Sequence, residues 1–296
     1  MKKIFAFAVM ALVCAACTNP NGSPEDGLVT KNEMQMKKVK ITFSPYDIHE
    51  MTRATLPIGD VVSKLDVWLY EGTPATAVAQ AKPVAEKHQT VGDDDFGKLS
   101  LTLNKDKTYT LYAIGHKQSA ATTLADGVVS FPDEKITQTF YYSTTFTPSK
   151  TSKLDCVMQR CIGMFRIVIV DEIPADVKQF SVSANNTPTK WSFLQLSGIA
   201  PRSDTYTVRW ENFKHETDGT TSFSIYILGS DVEQKYNITV SAYDADGNVA
   251  KQRTFTDVPI RNNYISLYRG SFFLDTPFSS AFTVNDDWSS YDTVEF

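Results

Sequence analysis

Four histidines, four cysteines, four tryptophans and 34 carboxylates are the groups in this 296-residue chain that could catalyse, ligate a metal or hold a ligand. His49, His88, His116 and His215 are scattered, and none stands at metal-ligand spacing from another. His49-Glu50-Met51-Thr52-Arg53 begins like a zinc-protease helix, where imidazoles four residues apart share one ion. Arg53 takes the place of the second imidazole, and a guanidinium cannot ligate a cation. Gly92-Asp93-Asp94-Asp95-Phe96-Gly97-Lys98-Leu99 has the glycine and lysine spacing of a phosphate loop. Leu99 replaces the magnesium-binding hydroxyl and three carboxylates would repel phosphate, so a solvated turn is expected. Asp244-Ala245-Asp246-Gly247-Asn248 alternates carboxylates like a calcium loop, but its glycine comes too early and the distal glutamate is missing. A hairpin turn is expected there. No Gly-x-Ser-x-Gly elbow is present. Cys156 and Cys161, on one strand, would point to opposite faces, too far apart to bridge, and are expected to be two small buried thiols. Neither an enzyme nor a bound metal or cofactor is expected. Trp68, Trp191, Trp210 and Trp288 could stack against sugar rings, although tryptophans scattered through a β-rich chain more often fill cores and edges.

Cys17 offers a different chemistry, acylation. Lys2 and Lys3 precede an apolar run from Ile4 to Val13, then Ala15-Ala16-Cys17. A basic start, a short apolar stretch and small residues before a cleavage point make an export signal. The run is too short to span a bilayer stably. The arrangement resembles a bacterial lipobox, with Cys14 where leucine is usual, and implies that residues 1–16 are removed and Cys17 is lipidated. Asn19 to Gly27 is polar and rich in proline and glycine, which reads as a flexible tether. Glu25 and Asp26 lie where acidic residues favour surface export in gut Bacteroidetes lipoproteins. The mature chain keeps 27 basic and 34 acidic side chains, formally −7. That balance argues against nucleic acid and against an electrostatically held membrane patch. Attachment to the outer membrane is expected through lipid.

The elements that would carry these residues are strands. Leu65, Val67 and Leu69 alternate with Lys64, Asp66 and Trp68, and Leu99, Leu101 and Leu103 with Ser100, Thr102 and Asn104. Similar runs occur at 39–43, 108–114, 163–170, 179–184, 206–210, 222–228, 237–243, 252–256, 264–273 and 282–285. Short alternating runs separated by Gly, Pro, Asn and Asp predict β-sandwiches. The polar stretch Thr147–Lys153 divides the runs into two similar halves. The expected organisation is a signal peptide (1–16), a lipidated tether (17–37), an N-terminal sandwich (38–150) and a C-terminal sandwich (151–296).

Gln159–Pro174, Asp257–Phe273 and Phe282–Trp288, together with Thr108–His116 and Thr139–Tyr142, resemble in order the Bacteroidetes fimbrial subunit family that includes the anchor and accessory members of the fimbrillin superfamily. The resemblance covers most of residues 39–288. It implies two transthyretin-like Greek-key sandwiches, a lipid anchor in the outer membrane, surface exposure as part of a fimbrium, and other fimbrial subunits as partners. It also implies an activity that is structural rather than catalytic. In polymerising members an arginine-directed protease removes an early segment; Arg53 is the candidate position or an ordinary loop arginine, and the latter is favoured because cleavage there would sever the lipid. Asp292-Thr293-Val294 resembles the short pattern O-glycosylated in Bacteroides, with Thr293 as acceptor. An unpaired sheet edge is a docking site for a partner strand, and Phe282, Thr283, Val284 and Asn285, beside the run 264–273, form the candidate. A surface lipoprotein that binds glycans is the alternative, and exposed coplanar tryptophans would favour it.

Overall fold

The computed structural model describes residues 35–45, 57–80, 82–211, 213 and 219–284. It is all-β. In chain order the first strands are β1 (Met36–Pro45), β2 (Lys64–Glu71), β3 (Ala85–Thr90), β4 (Lys98–Asn104) and β5 (Tyr109–His116). Two short strands follow, β6 (Thr123–Ala125) and β7 (Val128–Ser130), then β8 (Thr139–Phe146) and β9 (Lys153–Arg160). The first sheet runs β3-β2-β5-β8-β9-β1-β4. It turns a corner between β8 and β9, where only Phe140↔Arg160 and Tyr141↔Gln159 pair. The bend folds β9-β1-β4 over the other four strands and encloses a core of Val39, Ile41, Phe43, Leu65, Leu111, Phe140 and Met158 among others. Alternation drives this, because period-two side chains put one whole apolar set on one face.

The second half holds β10 (Ile162–Ile169), β11 (Val177–Ala184), β12 (Pro188–Ser192), β13 (Ser197–Pro201), β14 (Tyr206–Trp210) and β15 (Thr221–Leu228). It ends with β16 (Gln234–Asp244), β17 (Val249–Ile260), β18 (Tyr264–Gly270) and β19 (Ser279–Val284). Sheets β15-β10-β18-β19 and β14-β11-β16-β17 enclose a core rich in phenylalanine, isoleucine and valine. Each sandwich contains one parallel pair in an otherwise antiparallel arrangement, β1 with β9 and β10 with β18. Gly163 on β10 is required by close approach: a Cβ there would lie 2.6 Å from the Arg261 carbonyl oxygen.

The expected boundary at residues 150/151 lies in the turn between β8 and β9, inside the first sheet. The chain changes sandwich at Cys161, between β9 and β10. The reason is in β9 itself: Cys156 and Met158 alternate inward and complete the first core. The halves also share structure. A fourth sheet, β13-β12-β7-β6, pairs Val129 with Trp191 across them. A third core joins Trp68, Tyr70, Tyr112 and Ile114 to Met164, Trp191, Tyr226 and Leu228. The even-numbered face of β2, which alternation alone would place in water, is therefore buried between the halves. The hairpin expected at Asp246-Gly247 joins β16 to β17, with Gly247 at φ 82°.

Candidate subunit-docking edge

β19 is an edge strand. It pairs antiparallel with β18 from Tyr264↔Val284 to Arg269↔Ser279, and among the described residues no strand pairs with its other side. Ser279, Ser280, Ala281 and Thr283 are exposed; Phe282 is half-buried, its ring stacked on Tyr264 at 4.8 Å between centroids. Its inner neighbour β18 is anchored in both directions, by Ile265 in the shared core and by Tyr268 against the second core. An exposed, thinly held strand on a firmly seated one presents unused N–H and C=O groups to a partner.

The loop that presents β19 is clamped. The Asp171 carboxylate accepts hydrogen bonds from the amides of Phe272 (2.7 Å), Phe273 (2.8 Å) and Leu274 (3.2 Å). Arg253 on β17 donates to the carbonyls of Phe272 (2.8 Å), Thr276 (3.3 Å) and Leu274. Its guanidinium also lies 5.4 Å from the Phe278 ring centre. Lys251 bonds Asp275 at 2.8 Å and holds that carboxylate below its usual range.

Of the residues singled out from sequence, Phe282, Thr283 and Val284 lie on β19; Cys17, Arg53, Asn285 and Thr293 lie outside the described residues, as do His49, His215 and Trp288. Among the described residues the tryptophans form no common exposed face: Trp68 and Trp191 are buried, and Trp210 packs on Phe223 at 5.0 Å. Cys156 and Cys161 are free and buried in different cores. Burial pushes both thiols up, Cys156 to about 12. Among the described residues no group of three His, Cys, Asp or Glu could hold a metal. None of their helices is long and apolar enough to cross a membrane.

One cluster escaped the sequence reading. Asp66, at the centre of β2, is fully buried and accepts from His116 Nε2 (3.0 Å), His88 Nδ1 (2.7 Å), and the amide and hydroxyl of Thr122 (both 2.7 Å). The Gln118 backbone amide donates to His116 Nδ1 at 3.1 Å, which leaves Nε2 as the nitrogen that donates to Asp66. His88 faces carboxylates with both nitrogens, Asp66 and, at 3.0 Å, Glu86, an arrangement that favours the protonated ring. Burial opposes that charge, but the two carboxylates outweigh it and raise the His88 pKa. For Asp66 burial raises the pKa, and the bonds from His116, Thr122 and His88 together bring it below normal. The Thr122 hydroxyl is spent as a donor to the carboxylate, so the four residues form a clasp across β2, β3 and β5 rather than an activated nucleophile. The available signal was a lone carboxylate inside Leu65-Asp66-Val67-Trp68-Leu69.

Residues 129–292, more than half the chain, match the model of a family of unknown function, DUF6562. No curated protein matches the sequence. Among solved structures, a candidate adhesin from Bacteroides thetaiotaomicron superposes with TM-score 0.53 at 12% identity, covering 85% of this chain and 96% of its own. A structure of candidate polysaccharide-binding proteins from the same organism gives 0.53 at 9% identity, over 84% and 96%. The fimbrial anchor protein Mfa2 from Porphyromonas gingivalis gives 0.46 at 10% identity, over 79% and 90%. The first two likenesses show a shared fold over almost the whole of those chains.

Proposed function

The chain belongs to the DUF6562 family, and from that premise we propose that it is a non-enzymatic structural subunit of a surface fimbria, an anchor or accessory protein. In this reading Cys17 carries the lipid that holds it in the outer membrane, and a neighbouring subunit docks by adding a strand. The observation that carries the proposal is β19, exposed at Ser279, Ser280, Ala281 and Thr283 and bonded on one side only among the described residues. Main-chain hydrogen bonds along such an edge supply affinity, and the alternating side chains supply register. The sequence resemblance and the fold shared with a candidate Bacteroides adhesin support a place at the cell surface. The glycan-binding alternative has less support, because Trp68 and Trp191 are buried.

The test is Thr283→Pro, which puts a ring and a missing N–H into the edge strand. The variant should reach the outer membrane in normal amount yet retain fewer fimbriae. Normal retention by a folded variant would move the docking surface away from β19.

A further inference from the structure

The mature chain is acidic, formally −7, yet its lysines are not spread evenly. The outward face of β9-β1-β4 collects them through strand register. Val39, Ile41 and Phe43 of β1 point into the core, so Lys38, Lys40 and Thr42 point out. Lys40 is paired with Ser100 on one side and directly with Lys153 on the other; Thr42 is paired with Lys98 and Asp155. Lys38, Lys40, Lys98 and Lys153 are all exposed. Asp155 bonds Lys153 at 2.8 Å, and Lys38, Lys40 and Lys98 have no ion-pair partner among the described residues. Exposed Lys150 stands in the turn leading into β9.

Like charges on directly opposed strand positions destabilise a sheet. Lysines on an edge strand are commonly explained as protection against aggregation, which would account for Lys98 on β4. It does not account for Lys38, Lys40 and Lys153, because β1 and β9 are interior strands of the sheet.

The place of the patch is informative. β1 is the first described strand, and the tether enters it at Gln35, whose carbonyl accepts from the Lys105 amide at 2.6 Å. Cys17 lies 18 residues before Gln35. Fully extended, 18 residues reach at most about 65 Å. A lipid on Cys17 would hold this face within that reach of the bilayer, and the attraction acts once headgroups come within about 8 Å, the Debye length in physiological salt.

We propose that the outward face of β9-β1-β4 is a docking surface for anionic lipid headgroups, which orients the molecule on its membrane with the lysine face inward. The proposal rests on the lipid-anchor reading for its biological setting, but its test does not require the lipid. The full mature chain carrying Cys17→Ser is mixed with phosphatidylcholine vesicles with and without phosphatidylglycerol, and sedimentation reads the bound fraction. The unlipidated chain should bind the anionic vesicles, release with rising salt, and ignore the neutral ones. Joint replacement of Lys38, Lys40 and Lys153 by Gln should weaken binding about tenfold or more, given the pull of an anionic leaflet on each lysine near it. A matched control replaces exposed Lys82, Lys178 and Lys235, remote from this face in the strand order, and should bind like the parent. Equal binding to both vesicle types would overturn the proposal, as would an unchanged affinity after the first triple replacement. Retention on an acidic polysaccharide without vesicle binding would overturn it too. Failure of Cys17 to incorporate palmitate in cells would instead strike the anchor reading, and the vesicle result would stand apart from it.

Discussion

A buried carboxylate in the first sandwich, Asp66, accepts from four donors. Asp66 joins β2 to His88 on β3, to His116 on β5 and to Thr122 beyond it. Asp66→Ala would leave the His116 N–H and the Thr122 donors buried without an acceptor. Removing one partner from a buried charged network costs about 3–5 kcal/mol, so the urea midpoint should fall clearly. The clasp also sets a pH window. His88 has its pKa raised above 6.5, so its contribution is complete below 6.5 and is lost as pH rises through the folded value. Asp66 has its pKa lowered below 3.8, so its contribution is complete above 3.8 and is lost as pH falls through the folded value. The clasp should therefore be strongest between about pH 4 and 6.5. Denaturation midpoints should decline from pH 6 towards pH 9, and His88→Gln should flatten that decline; an equal decline in the variant would place its origin elsewhere.

Strands are where the sequence was most readable and also where it misled. β2, β5, β10, β11 and β16–β18 announce themselves by apolar alternation, and Asp246-Gly247 marks its hairpin. β3 does not, because in Ala-Glu-Lys-His-Gln-Thr only Gln89 is buried. Cross-strand bonds and the Asp66 clasp hold it, and neither leaves a local signature. β9 was obscured differently: the polar turn before it resembles a linker, whereas Cys156 and Met158 belong to the core beside β1. A chain ended at residue 150 lacks those side chains and one neighbour of β1. It should lose cooperative unfolding, whereas a chain ended after Arg160 should keep more of it; equal cooperativity would contradict the assignment of β9. The candidate docking edge was half legible. Alternation at Phe282–Val284 marks a strand, but its edge position follows only from how β18 and β19 pair. The clasp of Asp171 and Arg253 on the preceding loop joins residues far apart in sequence, so no local pattern reveals it.

At the scale of the whole molecule, two sandwiches are joined by a shared sheet and a shared core rather than by a linker. Pairing of β7 with β12, and packing of Trp68 and Tyr112 with Trp191 and Phe193, bind the halves together. A net charge is a sum over the chain and cannot show that Lys38, Lys40, Lys98 and Lys153 share one face, which follows from strand register. The most direct test of the central claim is affinity purification of the full protein from detergent-extracted outer membranes of its native host, with mass spectrometry of what accompanies it. The account predicts a lipid-modified protein recovered with related β-sandwich fimbrial subunits, which are depleted when Thr283→Pro is purified in parallel. Recovery from the soluble fraction, or from the membrane without fimbrial subunits, would contradict it.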